Sequence, residues 1–297
     1  MFKNRMIQEK GIHLLFLATG LASVIILALI VVFLFLEGLP IFTKISIKAF
    51  LFGRYWYPTS EPPDFGIFPM VAGSLSVTVL ASIISVPLGI MTAIYLAEIA
   101  SSRLREIVKP IVELLASLPS VVIGFFGMVV VAPLLQDLLG IPVGLNLFNA
   151  SLMLAFMSIP TICSLSEDAV FSVPHELKEA SFALGATHWQ TIARVVIPSS
   201  ISGISTAVIL GMSRAIGETM VVLMVAGGAA MVPGSIFDPV RPMPASIAAE
   251  MAEAPFRSDH YYALFAIGIV LFLFTLLFNV LADYISNKYR QAGAATL

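Results

Sequence analysis

Residues 179–198 read EASFALGATHWQTIARVVIP and lie between two long apolar runs. Just upstream, Pro174 suits a first helical turn, where its missing N–H costs nothing. His175 to Leu184 are mostly good helix formers. Gly185 is able to take the left-handed conformation that ends a helix. Thr187 with Gln190 fits a capping box and starts a second short helix. Pro198 is expected to stop it. The stretch therefore reads as two short helices around a glycine corner, too polar to cross a bilayer. Helical patterning alone allows an ordinary connector lying on a membrane surface.

The runs on either side set the class. The chain has 297 residues, 59% hydrophobic and only 11% charged, with a mean hydropathy of +0.98. A soluble domain of that length cannot hide so much apolar surface, whereas a bilayer protein has no need to. The expectation is an all-α membrane protein. The formal net charge of −2 gives no footprint for nucleic acid, and membrane lipid is the expected surrounding. Cys163 is the single cysteine, so no intramolecular disulfide is possible.

Six runs of transmembrane length are read: 12–36, 71–97, 111–135, 150–165, 201–225 and 261–282. The first is too long for a signal-peptide core and is read as a retained span. The fourth is short, ends near Pro160, and runs into Ser164, Ser166, Glu167 and Asp168. Pro87 and Gly89 sit inside the second, where neighbouring helices absorb such breaks.

Orientation follows from Lys and Arg. On one side stand ten: Lys3, Arg5, Lys10, Arg103, Arg105, Lys109, Lys178, Arg194, Lys288 and Arg290. On the other stand five, in longer loops: Lys44, Lys48, Arg54, Arg241 and Arg257. Both termini (residues 1–11 and 286–297) and the loop 171–199 are thus expected in the cytoplasm. The outer loop 37–69 is rich in Pro and aromatics, and reads either as a small ordered cap or as a solvated connector. The same alternatives hold for 229–260, with a helix expected over 245–254.

Within the fifth run, Arg214 and Glu218 stand four residues apart, which on one helix is one face. A charge at that depth is expensive and faces a cavity or a partner. Gly203, Ala207, Gly211 and Ala215 form a small-residue stripe that admits another backbone closely. The pair reads either as a pathway site or as a salt bridge holding the bundle. Near the third run, Glu113 is expected to pair with Lys109. The four histidines show no metal spacing, so no metal and no catalytic residue are expected.

The spacing Glu179-Ala180-Ser181, three residues, Gly185, nine residues, Val195, one residue, Ile197-Pro198 resembles the "EAA" loop of binding-protein-dependent ABC importer permeases. Ser181 replaces the third Ala, Val195 the usual Ile, and Ile197 the usual Leu. In that family the loop is where the membrane subunit meets its ATPase. Arg-Ala-Ile-Gly-Glu-Thr at 214–219 resembles Arg-Ala-x-Gly-Glu-Thr of phosphate-importer permeases, and chain length and the long first outer loop resemble their PstC type. Sulfate and molybdate permeases carry a similar Arg-x-x-Gly-Glu, typically followed by Phe-Gly. Here Thr219-Met220 follows.

The resemblance implies a type I ABC importer permease with six transmembrane helices, its core at 70–285. It implies a place in the bacterial plasma (inner) membrane. Arg214, Glu218 and Thr219 would line the substrate path. A guanidinium fork matches a tetrahedral oxyanion, and Glu218 would accept from a protonated phosphate oxygen that sulfate lacks. The implied partners are a homologous second permease, two ATPase subunits and a periplasmic or surface-tethered phosphate-binding protein. No Gly-x-x-x-x-Gly-Lys-Ser/Thr occurs in the chain. ATP-Mg is therefore expected on the ATPase, with no cofactor on this chain. The open alternatives are a sulfate or molybdate permease and an ion-coupled secondary transporter or channel.

Overall fold

The computed structural model describes residues 2–289. Arg290 and the residues after it in the expected C-terminal tail, and the side chains of Lys3, Arg5, Lys10 and Lys288, lie outside the described residues. Helix α1 (Phe2–Gly38) is apolar on every side from Ile12 onward. Such a helix faces lipid or protein on all sides, and its apolar window is wholly uncovered within this chain. It leans on one neighbour only through its later turns. There Phe33 meets Phe265 edge-on at 5.6 Å, and a Cβ on Gly38 would lie 2.6 Å from Ile269.

A 3-10 turn over Leu39–Thr43 leads to α2 (Ile47–Phe52), whose first turn is capped by Ser46. A two-stranded antiparallel ribbon follows, β1 (Trp56–Tyr57) and β2 (Asp64–Phe65), with Trp56 opposite Phe65. Helix α3 (Phe68–Ile94) then crosses inward and ends in a π turn, Tyr95–Ile99. After it come α4 (Ser102–Ala116), α5 (Ser120–Phe126), a π turn over Gly127–Val131, and α6 (Ala132–Leu139). Helix α7 (Leu147–Phe171) runs back through the centre. The surface helices α8 (His175–Ala183) and α9 (His188–Thr191) precede a third π turn, Ile192–Val196. Helix α10 (Ile197–Ile216), the short α11 (Met220–Val225), α12 (Met243–Glu250) and α13 (Asp259–Tyr289) complete the chain.

Among the described residues, six segments are long and apolar enough to cross a membrane, as expected, but three differ from the sequence reading. The third begins at Ser120 rather than at residue 111. Its supposed start, 111–116, is the end of α4, a separate amphipathic helix with no buried residue. Ser117-Leu118-Pro119 interrupts the chain there, because a residue before proline avoids the helical region. The fourth is a full span, Leu147–Phe171, not a short one. It passes through Pro160 because flanking helices enclose it, and it is the most buried span. The fifth starts at His188 and is broken after Ile216. Helix α12 starts at Met243 and ends at Glu250, earlier than the 245–254 expected.

Segments 37–69 and 229–260 form an ordered cap rather than solvated connectors. Phe50, Trp56, Phe65 and Ile67 are buried together with Met243, Leu264 and Ile267. Glu250 ties the pieces together: it accepts from the Trp56 indole at 2.9 Å and from Arg241, and meets His260 Nε2 at 2.8 Å.

The inner core is built where α3, α7 and α10 meet. Ile162 of α7 is fully buried and is flanked by Gly89 of α3 and Gly211 of α10. A Cβ would lie 2.8 Å from Ile162 at Gly89 and 2.5 Å from it at Gly211. The glycines thus set how closely three backbones approach. Gly211→Ala is expected to destabilise the purified protein by about 1–3 kcal/mol through overpacking. Ile162→Ala, which removes the Cγ1 and Cδ1 atoms that the new methyl meets, should cost less in the Gly211→Ala chain than in the wild type, read as a smaller fall in melting temperature.

Candidate functional site

The loop read first from the sequence folds largely as expected. Helix α8 starts after Pro174 and ends at Ala183, with Leu184 as its C-cap. Gly185 has φ +83°, the left-handed turn, and nothing lies within 4 Å of where its Cβ would be. Its N–H donates to Phe182 O at 2.9 Å, and Ala186 N–H to Ser181 O at 3.2 Å. The Thr187–Gln190 capping box is complete, with bonds of 2.9 and 3.3 Å.

Pro198, however, does not stop α9. The helix widens into the π turn over Ile192–Val196 and continues as α10. The wider turn absorbs a proline that has no N–H for the ordinary ladder.

The seven motif residues fall into two groups. Glu179 and Ala180 are exposed on α8, with Ser181 beside them and Gly185 at the exposed corner. Ser181 shares a 2.9 Å hydroxyl contact with Thr191 that ties α8 to α9. Val195, Ile197 and Pro198 lie instead in the π turn and the start of α10, at the foot of the loop. That foot is anchored by a buried cluster of Val170, Val173, Val196 and Ile204. The outer side of the loop is apolar and bare: Leu184 is 89% exposed and Trp189 67%. The two apolar side chains flank the Gly185 corner and are left uncovered by this chain.

Below the loop, Glu167 is almost fully buried in α7 and accepts from Arg105 Nε and Nη2, both at 2.7 Å. Lys109 reaches Glu167 at 3.2 Å and Asp168 at 3.0 Å, not Glu113 as expected. Arg105 also lies 4.2 Å over the Phe171 ring. Burial works to lower the Lys109 pKa, but its hydrogen bonds and charge contacts with Asp168 and Glu167 outweigh that and raise it. Its ammonium is therefore charged throughout the physiological range, and its tie is lost only as pH rises past the ordinary lysine value. These groups pin α4 to the end of α7.

The second candidate region lies deeper. Arg214 stands on α10 level with Thr161, near the middle of α7, and donates to the Thr161 hydroxyl at 3.2 Å. Within this chain its side chain is exposed. Glu218 does not share its helix face. Helix α10 ends at Ile216, so the four-residue spacing no longer applies. Glu218 Oε1 accepts from the backbone N–H of Met220 and Val221, at 3.2 and 3.4 Å, and so caps α11. The expected ion pair is replaced by a guanidinium on one side of a helix break and a carboxylate closing the other. Thr219 lies in the break and donates to Gly217 O at 3.4 Å. Irregular backbone at membrane depth persists only where protein covers it or a cavity wets it.

Sequence reasoning missed Thr161 as a partner of Arg214, Glu167 as a partner of Arg105 and Glu98 as the partner of Lys178. Their contacts join positions 53 to 80 residues apart, beyond any local spacing rule.

The family of binding-protein-dependent transport system inner membrane components matches residues 85–291. The chain belongs to that family and is an ABC importer permease with six membrane-crossing helices. Among its relatives, the probable ABC transporter permease YqgH of Bacillus subtilis is 36% identical over 96% of this chain and 93% of its own. The phosphate transport system permease PstC of Mesorhizobium japonicum is 36% identical over 80% and 77%. That of Haemophilus influenzae is 33% identical over 82% of each. The fold is also that of solved type I importers. The inward-facing methionine transporter MetNI superposes with a TM-score of 0.57 at 20% identity, covering 76% of this chain and 95% of that one. A bacterial alginate transporter, solved with its substrate-loaded periplasmic protein, gives 0.57 at 18% identity, covering 92% and 96%.

Because Gly185 meets no neighbour, a side chain there acts through backbone strain alone. Gly185→Val should weaken the α8–α9 corner by about 1–2 kcal/mol, and Gly185→Asn by less. Faster hydrogen exchange at Ala186 and Gln190 in the valine variant, with exchange in α7 unchanged, checks this.

Proposed function

We propose that this chain is a transmembrane subunit of an ATP-driven importer of inorganic phosphate. The observation that carries the reading is Arg214, exposed at mid-membrane beside a helix break. A permanent charge at that depth faces a water-filled path or a partner subunit, and a guanidinium fork suits a tetrahedral oxyanion. Relatives 33–36% identical that are phosphate transport permeases support the same substrate. Thr219 lies in the break beside it, and Glu218, holding the start of α11, keeps one carboxylate oxygen for a protonated phosphate.

A homologous permease subunit covers the Arg214 face and completes the path. Two ATPase subunits, which carry ATP-Mg, dock on the exposed surface made by Glu179, Ala180, Leu184, Gly185 and Trp189. A phosphate-binding protein delivers substrate at the opposite, capped face. This chain performs no catalysis of its own. It sits in the bacterial inner membrane with both termini and the α8–α9 loop in the cytoplasm, in keeping with the Lys and Arg distribution.

Orientation is tested by thiol labelling in a Cys163→Ser background. Ala183→Cys, on exposed α8, should resist impermeant reagents added to intact cells. Ser235→Cys, in the exposed loop before α12, should react. The reverse pattern would overturn the placement of the ATPases.

The substrate path is tested in proteoliposomes holding the assembled complex and its binding protein. Arg214→Gln should lower ATP-driven phosphate uptake by roughly a hundredfold, as loss of a charge-assisted contact of a few kcal/mol implies. Arg214→Lys should restore only part, because an ammonium lacks the fork. Wild-type uptake by an assembled Arg214→Gln complex would remove Arg214 from the path.

A further inference from the structure

Helix α8 packs against α9 and the π turn that follows it. A cavity of about 350 Å³ lies under it, lined in part by Ala97, Phe171, His175 and His188. Across that gap Lys178 Nζ of α8 donates to Glu98 Oε1 at 2.6 Å. Both side chains are largely covered, at 13% and 7% exposure. Glu98 sits in the π turn that ends α3, where Ala100 N–H reaches back to Tyr95 O at 2.8 Å. Such single π turns within helices are frequent at functional positions.

The pair also has somewhere to lead. Helix α3 touches Ile162 through Gly89, and Ile162 adjoins Thr161, the hydrogen-bond partner of Arg214. A covered ion pair across a gap is stiff in a way that a packed apolar contact, which slides, is not. It resists separation, which leaves two charges poorly paired in a low-dielectric place, and it resists compression because the two atoms are already in contact at 2.6 Å.

We propose that Lys178–Glu98 is a strut that passes movement of α8 to α3, so that both are positioning residues for transport. The proposal rests on the reading of α8 as the ATPase-facing helix. Neither residue touches substrate or nucleotide. The strut determines how much of each ATPase cycle reaches the membrane helices.

Single neutralisations strand one covered charge and unsettle the fold. The informative variant is Glu98→Gln with Lys178→Met, which removes both charges and keeps the volumes. In reconstituted complexes it should assemble with its ATPases, hydrolyse ATP, and move roughly tenfold less phosphate per ATP, a typical coupling between sites. The swapped pair, Glu98→Lys with Lys178→Glu, should bring that ratio back towards wild type. A merely structural pair would change yield and melting temperature but leave the ratio of transport to hydrolysis unmoved. An unchanged ratio in the assembled neutral variant overturns the strut and leaves the transport reading intact. Collapse of assembly in both the neutral and the swapped chains also overturns it, since the pair would then serve the fold alone. Failure of the wild-type complex to couple ATP to uptake would instead remove the reading on which the strut rests.

Discussion

Everything in the membrane part of this protein is arranged around the close passage of α7 between α3 and α10. Lipid offers no hydrophobic force between helices, so association depends on packing and on hydrogen bonds. At Ile162 that packing is tight enough that neither Gly89 nor Gly211 leaves room for a methyl group. One consequence is that Pro160, one helical position away from the contact's neighbour Thr161, is tolerated in the middle of a span. Another is that Thr161 is held where it meets Arg214. Movement of any one of the three helices is thereby felt by the other two.

The second constraint is the break at Gly217–Thr219. A continuous helix would have kept Arg214 and Glu218 on one face, where they would neutralise each other. The break separates them: Glu218 satisfies N–H groups of α11, and Arg214 remains uncovered by this chain. The arrangement uses backbone irregularity to keep a charge available, at a depth where a paired charge would be inert.

Much of the fold was legible in the sequence. Six spans and the glycine corner at Gly185 follow from composition, hydropathy and capping chemistry, and so does the Thr187 capping box. What was not legible has a common physical cause. Pro198 and Pro160 read as stops, yet a π turn upstream absorbs the first and enclosure by neighbours the second. Residue 111 read as the start of a span because hydropathy averages across Ser117-Leu118-Pro119 without seeing the bend. Lys109 was assigned to Glu113, one turn away, whereas α7 brings Glu167 and Asp168 against it. Local rules find local partners. The ties between α4 and α7, and between α3 and α8, depend on which helices become neighbours.

The account holds that the Arg214 face opens alternately to the two sides of the membrane as ATP is bound and hydrolysed. Leu210 is 47% exposed and lies four residues before Arg214 on α10, on the same face. The most direct test places Leu210→Cys in a Cys163→Ser chain within the reconstituted complex. Its reaction with an impermeant thiol reagent is followed from each side, without nucleotide and with ATP trapped. Reactivity from the α8–α9 side without nucleotide, moving to the capped side with ATP, is the predicted result. Reactivity from the same side in both states would contradict it.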